Sequence, residues 1–327
     1  KMLSLVLEND IIEDSEVKKT FLNKPAFNEN TFLKNDIEKA STIPSKSILF
    51  NIDAKSAVST IDDSDAILSV FVKVFDEFCG YSAKSPYIAQ FERELDEEDL
   101  FQSFIKEIEK LTDKQWVQVR ERRTRYKKEI DSAYNKITGQ NNKNILEKYS
   151  ADYALSIEDF ANRVKSYIDK QESNFRLNFF VDEVGQYIAG KPTLMLNLQS
   201  IAENLNTKCK GRSWIIVTSQ EEMKSVVGEM DVQQNFDFSK IQARFANRMS
   251  LTSQDVAEVI QKRLLLKNNI GTKELSEIYE DQKNNFSTLF NFLDGAQTYK
   301  GFNDIDHFTY CYPFIPYQFS LFQETMQ

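Results

Sequence analysis

Glycine is scarce in this chain: 9 residues in 327, with no cluster among them. The phosphate-cradling loop G-x-x-x-x-G-K-[ST], whose backbone N–H groups wrap a triphosphate, is absent. A single histidine, His307, excludes multi-histidine metal centres and leaves a Ser-His-Asp triad one ring on which to converge, so it reads as an ordinary surface or core residue. The three cysteines, Cys79, Cys209 and Cys311, stand far apart without C-x-x-C spacing, which argues against a disulfide framework or a thiolate zinc site. A reducing, cytoplasmic setting is the expectation. No apolar run approaches the length that spans a bilayer, and no secretory signal opens the chain. A formal net charge of −9 speaks against a uniformly basic nucleic-acid binder but leaves room for a local basic patch.

At this length the chain forms one large or two medium domains, each able to bury a core. The most informative stretch is Arg176–Gly185, R-L-N-F-F-V-D-E-V-G, an apolar strand that ends in adjacent carboxylates. This is the pattern of a Walker B strand. In P-loop ATPases the Asp at such a tip, here Asp182, holds Mg²⁺ of Mg·ATP through its water shell, and the following Glu, here Glu183, polarises the attacking water. An Asp-Glu pair after a buried strand also suits the start of any helix, where carboxylates meet the positive end of the dipole.

Around it, I-L-F-N-I (48–52), punctuated by Pro44 and Ser45, reads as a second strand of a parallel sheet. Apolar residues on a helical period predict a helix over 66–78, and a mostly helical, charged region runs on to about Gln171. Within that region lie an acidic run, Glu92 to Asp99, and a basic run with Arg120, Arg122, Arg123, Arg125, Lys127 and Lys128. Such runs suit solvated helix faces; the alternative is a phosphate-contacting surface with Trp116 and Tyr126 as stacking groups. Residues 192–208 suit a crossover helix, and W-I-I-V (214–217) a further strand, ending in Thr218, Ser219 and Gln220. Ser219 or Gln220 stands where many ATPases of this class keep a sensor for the γ-phosphate, and a plain strand-to-loop transition accounts for the same residues. The βαβ order sets the two strand tips side by side on the ligand-binding edge of a parallel sheet.

Farther on, I-Q-A-R-F-A-N-R carries Arg244 and Arg248 just before a short strand candidate at 249–251. Arg244 is the preferred arginine finger, a cation offered to a neighbouring subunit's γ-phosphate, although either arginine also suits a surface ion pair. A well-patterned helix from Gln254 to Lys267, with Ser253 as N-cap, suits the opening of a helical lid; Arg263 near its end suits a solvated helix face first, and a contact to nucleotide from that lid as the alternative. Y-P-F-I-P-Y-Q-F (312–319) reads as an ordered apolar turn. The opening K-M-L-S-L-V-L-E has no N-cap or turn before it, so it reads as the interior of a helix and the chain as a piece of a longer protein.

The runs F-F-V-D-E-V-G-Q-Y-I, W-I-I-V-T-S-Q-E, I-Q-A-R-F-A-N-R and Y-P-F-I-P-Y-Q-F together resemble the BrxC/PglY ATPase family of bacteriophage-exclusion (BREX) defence systems. The resemblance implies an α/β fold, a parallel-sheet P-loop NTPase core of AAA+ type over residues 1–253 with a helical insertion at about 81–171. A helical lid over 254–327 follows. It further implies ATP and Mg²⁺ as ligands, a homo-oligomer because a finger in trans needs a neighbour, and other BREX components and DNA as partners. The helix at Lys1–Leu7 is similar to the one that follows the phosphate loop in that family. Without the loop the chain itself is expected to bind ATP poorly, whereas the protein it belongs to hydrolyses it. The rival reading is a scaffold with a degenerate ATPase fold that binds DNA or partner proteins without turnover.

Overall fold

A computed structural model describes residues 1–12, 15–24, 27, 30–52, 65–188, 191–219, 245, 247, 249, 256–289 and 301–325. The chain divides into two compact units, Lys1–Asn247 and Arg248–Gln327.

The first unit is mixed α/β. A short antiparallel hairpin, β1 (Ile11–Ile12) with β2 (Ser15–Glu16), precedes a sheet of β3 (Ser45–Asn51), β4 (Arg176–Asp182) and β5 (Ser213–Val217). The sheet is parallel throughout, in the order β3-β4-β5. Register places Ile48 opposite Phe179 and Phe179 opposite Ile215, and Asn51 opposite Asp182. Alternation then sends Ile48, Phe50, Leu177, Phe179 and Val181 to one face, where they are buried. Three helices cover that face: Ala66–Phe78, Ile157–Asp169 and Pro192–Cys209. Ala66–Phe78 is apolar almost all round and is buried accordingly, which outweighs the weak helix propensity of Val70, Val72 and Val74. Its Phe71 ring sits 5.3 Å from that of Phe50 and 5.4 Å from that of Phe179, and each such pair adds about 0.5–1.5 kcal/mol beyond area burial.

The opposite face is only half covered. An all-apolar run such as Trp214–Val217 suits a strand buried on both sides, yet Trp214 is 46% exposed, with the Arg176 guanidinium 5.9 Å from its ring centroid, and Leu49 is 44% exposed. β3 also starts three residues before the apolar run at Ile48. Its polar opening is anchored by Ser45 Oγ, which donates to the Leu7 carbonyl at 3.1 Å, and by Lys46, which pairs with Glu8 at 3.1 Å.

Between β3 and β4 the chain builds a separate helical lobe from Pro86–Glu97, Phe101–Thr112, Trp116–Glu121, Lys127–Thr138 and Ile145–Asp152. It has its own core, centred on Phe91, whose ring lies 5.2 Å from Phe104 and 5.3 Å from Tyr149. A fully buried carboxylate, Glu92, organises one side of it. Glu92 accepts from the Ser82 amide at 2.6 Å, Trp116 Nε1 at 2.5 Å and Arg120 Nη1 at 2.7 Å. Trp116 is therefore a core residue with a satisfied N–H and no face to offer a base; Arg120 is likewise spent internally. The lobe is tied to the helix Ala66–Phe78 by an ion pair between Arg93 and Asp76. Burial pushes the Asp76 carboxyl up to about 6, against the pull of the Arg93 guanidinium.

The second unit is helical: Val256–Arg263, Asn269–Leu289, Ile305–Cys311 and Pro316–Thr325. Phe308 centres it, 5.1 Å from Phe286 and 5.0 Å from Phe302. The patterned run that predicts a helix to Lys267 stops at Arg263. Leu264 and Leu266 lie 77% and 72% exposed in the connection, and Asn268 Oδ1 accepts from the Gly271 amide to start the next helix. His307 belongs to the Ile305–Cys311 helix start: its amide donates to Asp304 Oδ1 at 2.7 Å and its Nδ1 accepts from the Asn303 amide at 3.2 Å. The three cysteines are free, and burial pushes the Cys79 and Cys209 thiols up to about 12 and about 11, which keeps them protonated at neutral pH. Among the described residues no helix is long and apolar enough to cross a membrane.

Candidate functional site

The carboxyl ends of β3, β4 and β5 bring four polar side chains together. At the tip of β4, Asp182 is exposed. Thr218, just past β5, donates its hydroxyl to Asp182 Oδ1. The Glu183 amide donates to Asp182 Oδ1 at 3.1 Å and to Thr218 Oγ1 at 3.4 Å. From the end of β3, Asn51 Nδ2 donates to Glu183 Oε2. The Asp182 carboxylate is thus fixed through one oxygen, and Oδ2 has no hydrogen bond among the described residues.

Backbone geometry reinforces the cluster. Thr218 N–H donates to the Val181 carbonyl at 3.0 Å and Val184 N–H to the Thr218 carbonyl at 3.1 Å, so the tips of β4 and β5 are laced beyond the last paired residues. Glu183 has φ of 60°, the left-handed region, which costs a non-glycine residue roughly 1–2 kcal/mol and is a feature that gathers at functional sites. The turn that follows needs Gly185. A Cβ there would lie 1.9 Å from Ser219 Oγ and 2.9 Å from Ser219 Cβ. Gly185→Ala is expected to cost about 1–3 kcal/mol by forcing the β4 and β5 tips apart, read as a lower denaturation midpoint. A midpoint equal to wild type would show that the turn gives way freely.

Asp182 and Glu183 are brought together with Thr218 and Asn51; Ser219 instead packs against Gly185. Gln220, Arg244 and Arg248 lie outside the described residues, as does most of the strand candidate at 249–251. Arg263 closes the helix Val256–Arg263 in the second unit and is exposed. Asn51 and Thr218 were not singled out by motif. Their signal is parity: Phe50, Val181 and Val217 face the covered side, so the next residue on each strand, Asn51, Asp182 and Thr218, faces the other. That inference needs the register, which a single sequence does not carry.

Among the described residues no three His, Cys, Asp or Glu side chains gather round a metal position. The donor set fits a cation that takes one carboxylate and fills its remaining positions from water and substrate phosphate, the habit of Mg²⁺. No protein-family model matches the chain, and no solved structure matches it.

Proposed function

We propose that the rim of this sheet is the metal- and water-handling half of an ATP-hydrolysing site, in a P-loop ATPase of AAA+ type that serves as the ATPase component of a BREX anti-phage system. The observation that carries the reading is the adjacency of Asp182 and Glu183 at the carboxyl end of the middle parallel strand, with Asn51 and Thr218 supplied by its two neighbours. Ligands of open parallel sheets bind at that edge.

Asp182 would hold Mg²⁺ through bound water, kept in orientation by the Thr218 hydroxyl; the ion supplies charge neutralisation for the phosphoryl group. Glu183 accepts the proton of the attacking water, and Asn51 holds its carboxylate by a donated hydrogen bond until that proton arrives. Arg244 remains the proposed finger, with Arg248 as its alternative, and Gln220 and Ser219 the proposed phosphate sensors. Arg263 is the proposed nucleotide contact from the lid, and a homo-oligomer with other BREX components and DNA the proposed setting. The second reading is the non-hydrolysing scaffold that binds DNA or partner proteins, and a natural protein without a glycine-rich phosphate loop would favour it.

The test is calorimetric titration of the natural protein that carries this chain with ATP, in Mg²⁺ and in chelator. Asp182→Ala is expected to weaken the Mg²⁺-dependent part of the affinity by about 10–100-fold, the usual cost of losing a residue that orders a metal's outer shell. Equal Mg·ATP affinity in the two proteins would remove Asp182 from the metal site.

A further inference from the structure

The helical lobe carries opposite charge at its two ends. Residues 92–99 hold six carboxylates and one arginine, and residues 120–128 hold six cations and one carboxylate. Part of each set is used internally: Arg93 pairs with Asp76, Arg120 with Glu92 and Lys127 with Glu147, while Glu94 and Asp96 accept from Tyr149 and Tyr81. What is left over is segregated. Glu97, Glu98 and Asp99 are exposed at the C-terminal end of the helix Pro86–Glu97 and make no ion pair among the described residues. Arg122, Arg125 and Lys128 are exposed in the turn before Lys127–Thr138 and at that helix's start, equally without an ion pair among the described residues. The Lys84–Glu121 pair and the Arg123 guanidinium, 5.6 Å from the Tyr87 ring centroid, fix this turn beside the N-terminal end of Pro86–Glu97. The two poles are thus a helix length apart, roughly 18 Å for twelve residues.

Neither pole helps the fold. Carboxylates at a helix C-terminus and cations at a helix N-terminus both oppose the macrodipole, and Lys127–Thr138 begins with two lysines and no side-chain cap. The arrangement is self-complementary, however. A neighbour displaced along the lobe would set three unpaired cations against three unpaired carboxylates. Beside the acidic end lies an open recess of about 360 Å³, lined by Glu97, Asp152 and Asp159 together with Arg163, which donates to Gln90 Oε1 at 3.3 Å, so its lining is acidic on balance. A polyanion such as duplex DNA would satisfy the basic turn alone and would be repelled by the acidic end.

We propose that the helical lobe is a head-to-tail contact between copies of this chain, the basic turn 122–128 of one docking on the acidic end 96–99 of the next. The contact is heterologous, so it generates a ring or an open array rather than a two-fold dimer. It stands independently of the nucleotide chemistry. Exposed pairs are individually weak and screened by salt, so the contact orients and steers more than it clamps.

Sedimentation velocity on the full chain tests this with two variants, Arg122→Glu/Arg125→Glu/Lys128→Glu and Glu97→Lys/Glu98→Lys/Asp99→Lys. The unmodified chain is expected to self-associate at about 50 mM salt and at least about tenfold more weakly at about 500 mM. Each variant alone is expected to stay monomeric, because both its poles carry one sign. An equimolar mixture of the two is expected to associate again, since both contacts between unlike variants become attractive. A monomeric unmodified chain at low salt, a variant that self-associates like wild type, or a mixture that stays monomeric would each overturn the proposal. Loss of duplex-DNA binding in the first variant with self-association intact would assign the turn to nucleic acid instead.

Discussion

Replacing Glu183 by glutamine is expected to lower ATP turnover in the natural protein that carries this chain by about 10²–10⁴-fold, the usual contribution of a positioned general base. Mg·ATP affinity should stay close to wild type. Glutamine is isosteric, and its carbonyl can still accept the hydrogen bond that Asn51 Nδ2 gives to Glu183 Oε2, so the tip keeps its shape and loses only a proton acceptor. A fall in kcat with unchanged nucleotide affinity is the signature of an interaction made at the chemical step. Asn51→Ala is the matching control: the base remains and loses only the hydrogen bond from Asn51 Nδ2, so kcat should fall by less. Wild-type turnover in Glu183→Gln would remove Glu183 from the base's role. An unmodified protein that binds ATP without hydrolysing it would favour the scaffold.

How much of this site was legible in the sequence differs from strand to strand. Asp182 and Glu183 stood out because an apolar run ended on them, a one-dimensional pattern that needs no partner strand. Ser219 and Gln220 on the neighbouring strand are suggested only by their place just past an apolar run, whose last paired residue the sequence alone does not fix. In the fold, Val217 points into the covered face, so Thr218 falls on the side of Asp182 and Ser219 turns toward Gly185. Asn51 lies 132 positions from Glu183, a separation across which no local pattern operates.

The helices divide along similar lines. Ala66–Phe78 was legible to the residue because nearly every position is apolar and its burial leaves no alternative. The lobe was legible only as helical and charged. That one carboxylate of its acidic run would turn fully inward, to be met by a tryptophan and an arginine from another helix, depends on how Pro86–Glu97 packs against Trp116–Glu121. Glu92 looks in sequence like its exposed neighbours Glu97 and Glu98. Trp116, read as an aromatic beside a basic run, is the donor that completes the buried acceptor.

Glu92→Leu is therefore expected to destabilise the helical lobe by about 3–5 kcal/mol, the cost of breaking a buried charged pair from one side. Three donors lose their acceptor at once: the Ser82 amide, Trp116 Nε1 and the Arg120 guanidinium. The guanidinium dominates, because a charge left in a low-dielectric setting costs more than an orphaned neutral N–H. Glu92→Gln, which keeps one acceptor oxygen, should lose less. Adding Arg120→Leu to Glu92→Leu should recover part of the loss, since an apolar pair leaves no charge stranded. Urea unfolding followed by Trp116 fluorescence in a Trp214→Phe background isolates the lobe, those being the chain's two tryptophans. If Glu92→Leu unfolds at the wild-type midpoint, the carboxylate is not the lobe's organising acceptor; if the double variant is less stable than the single one, the stranded guanidinium is not what the single variant suffers from.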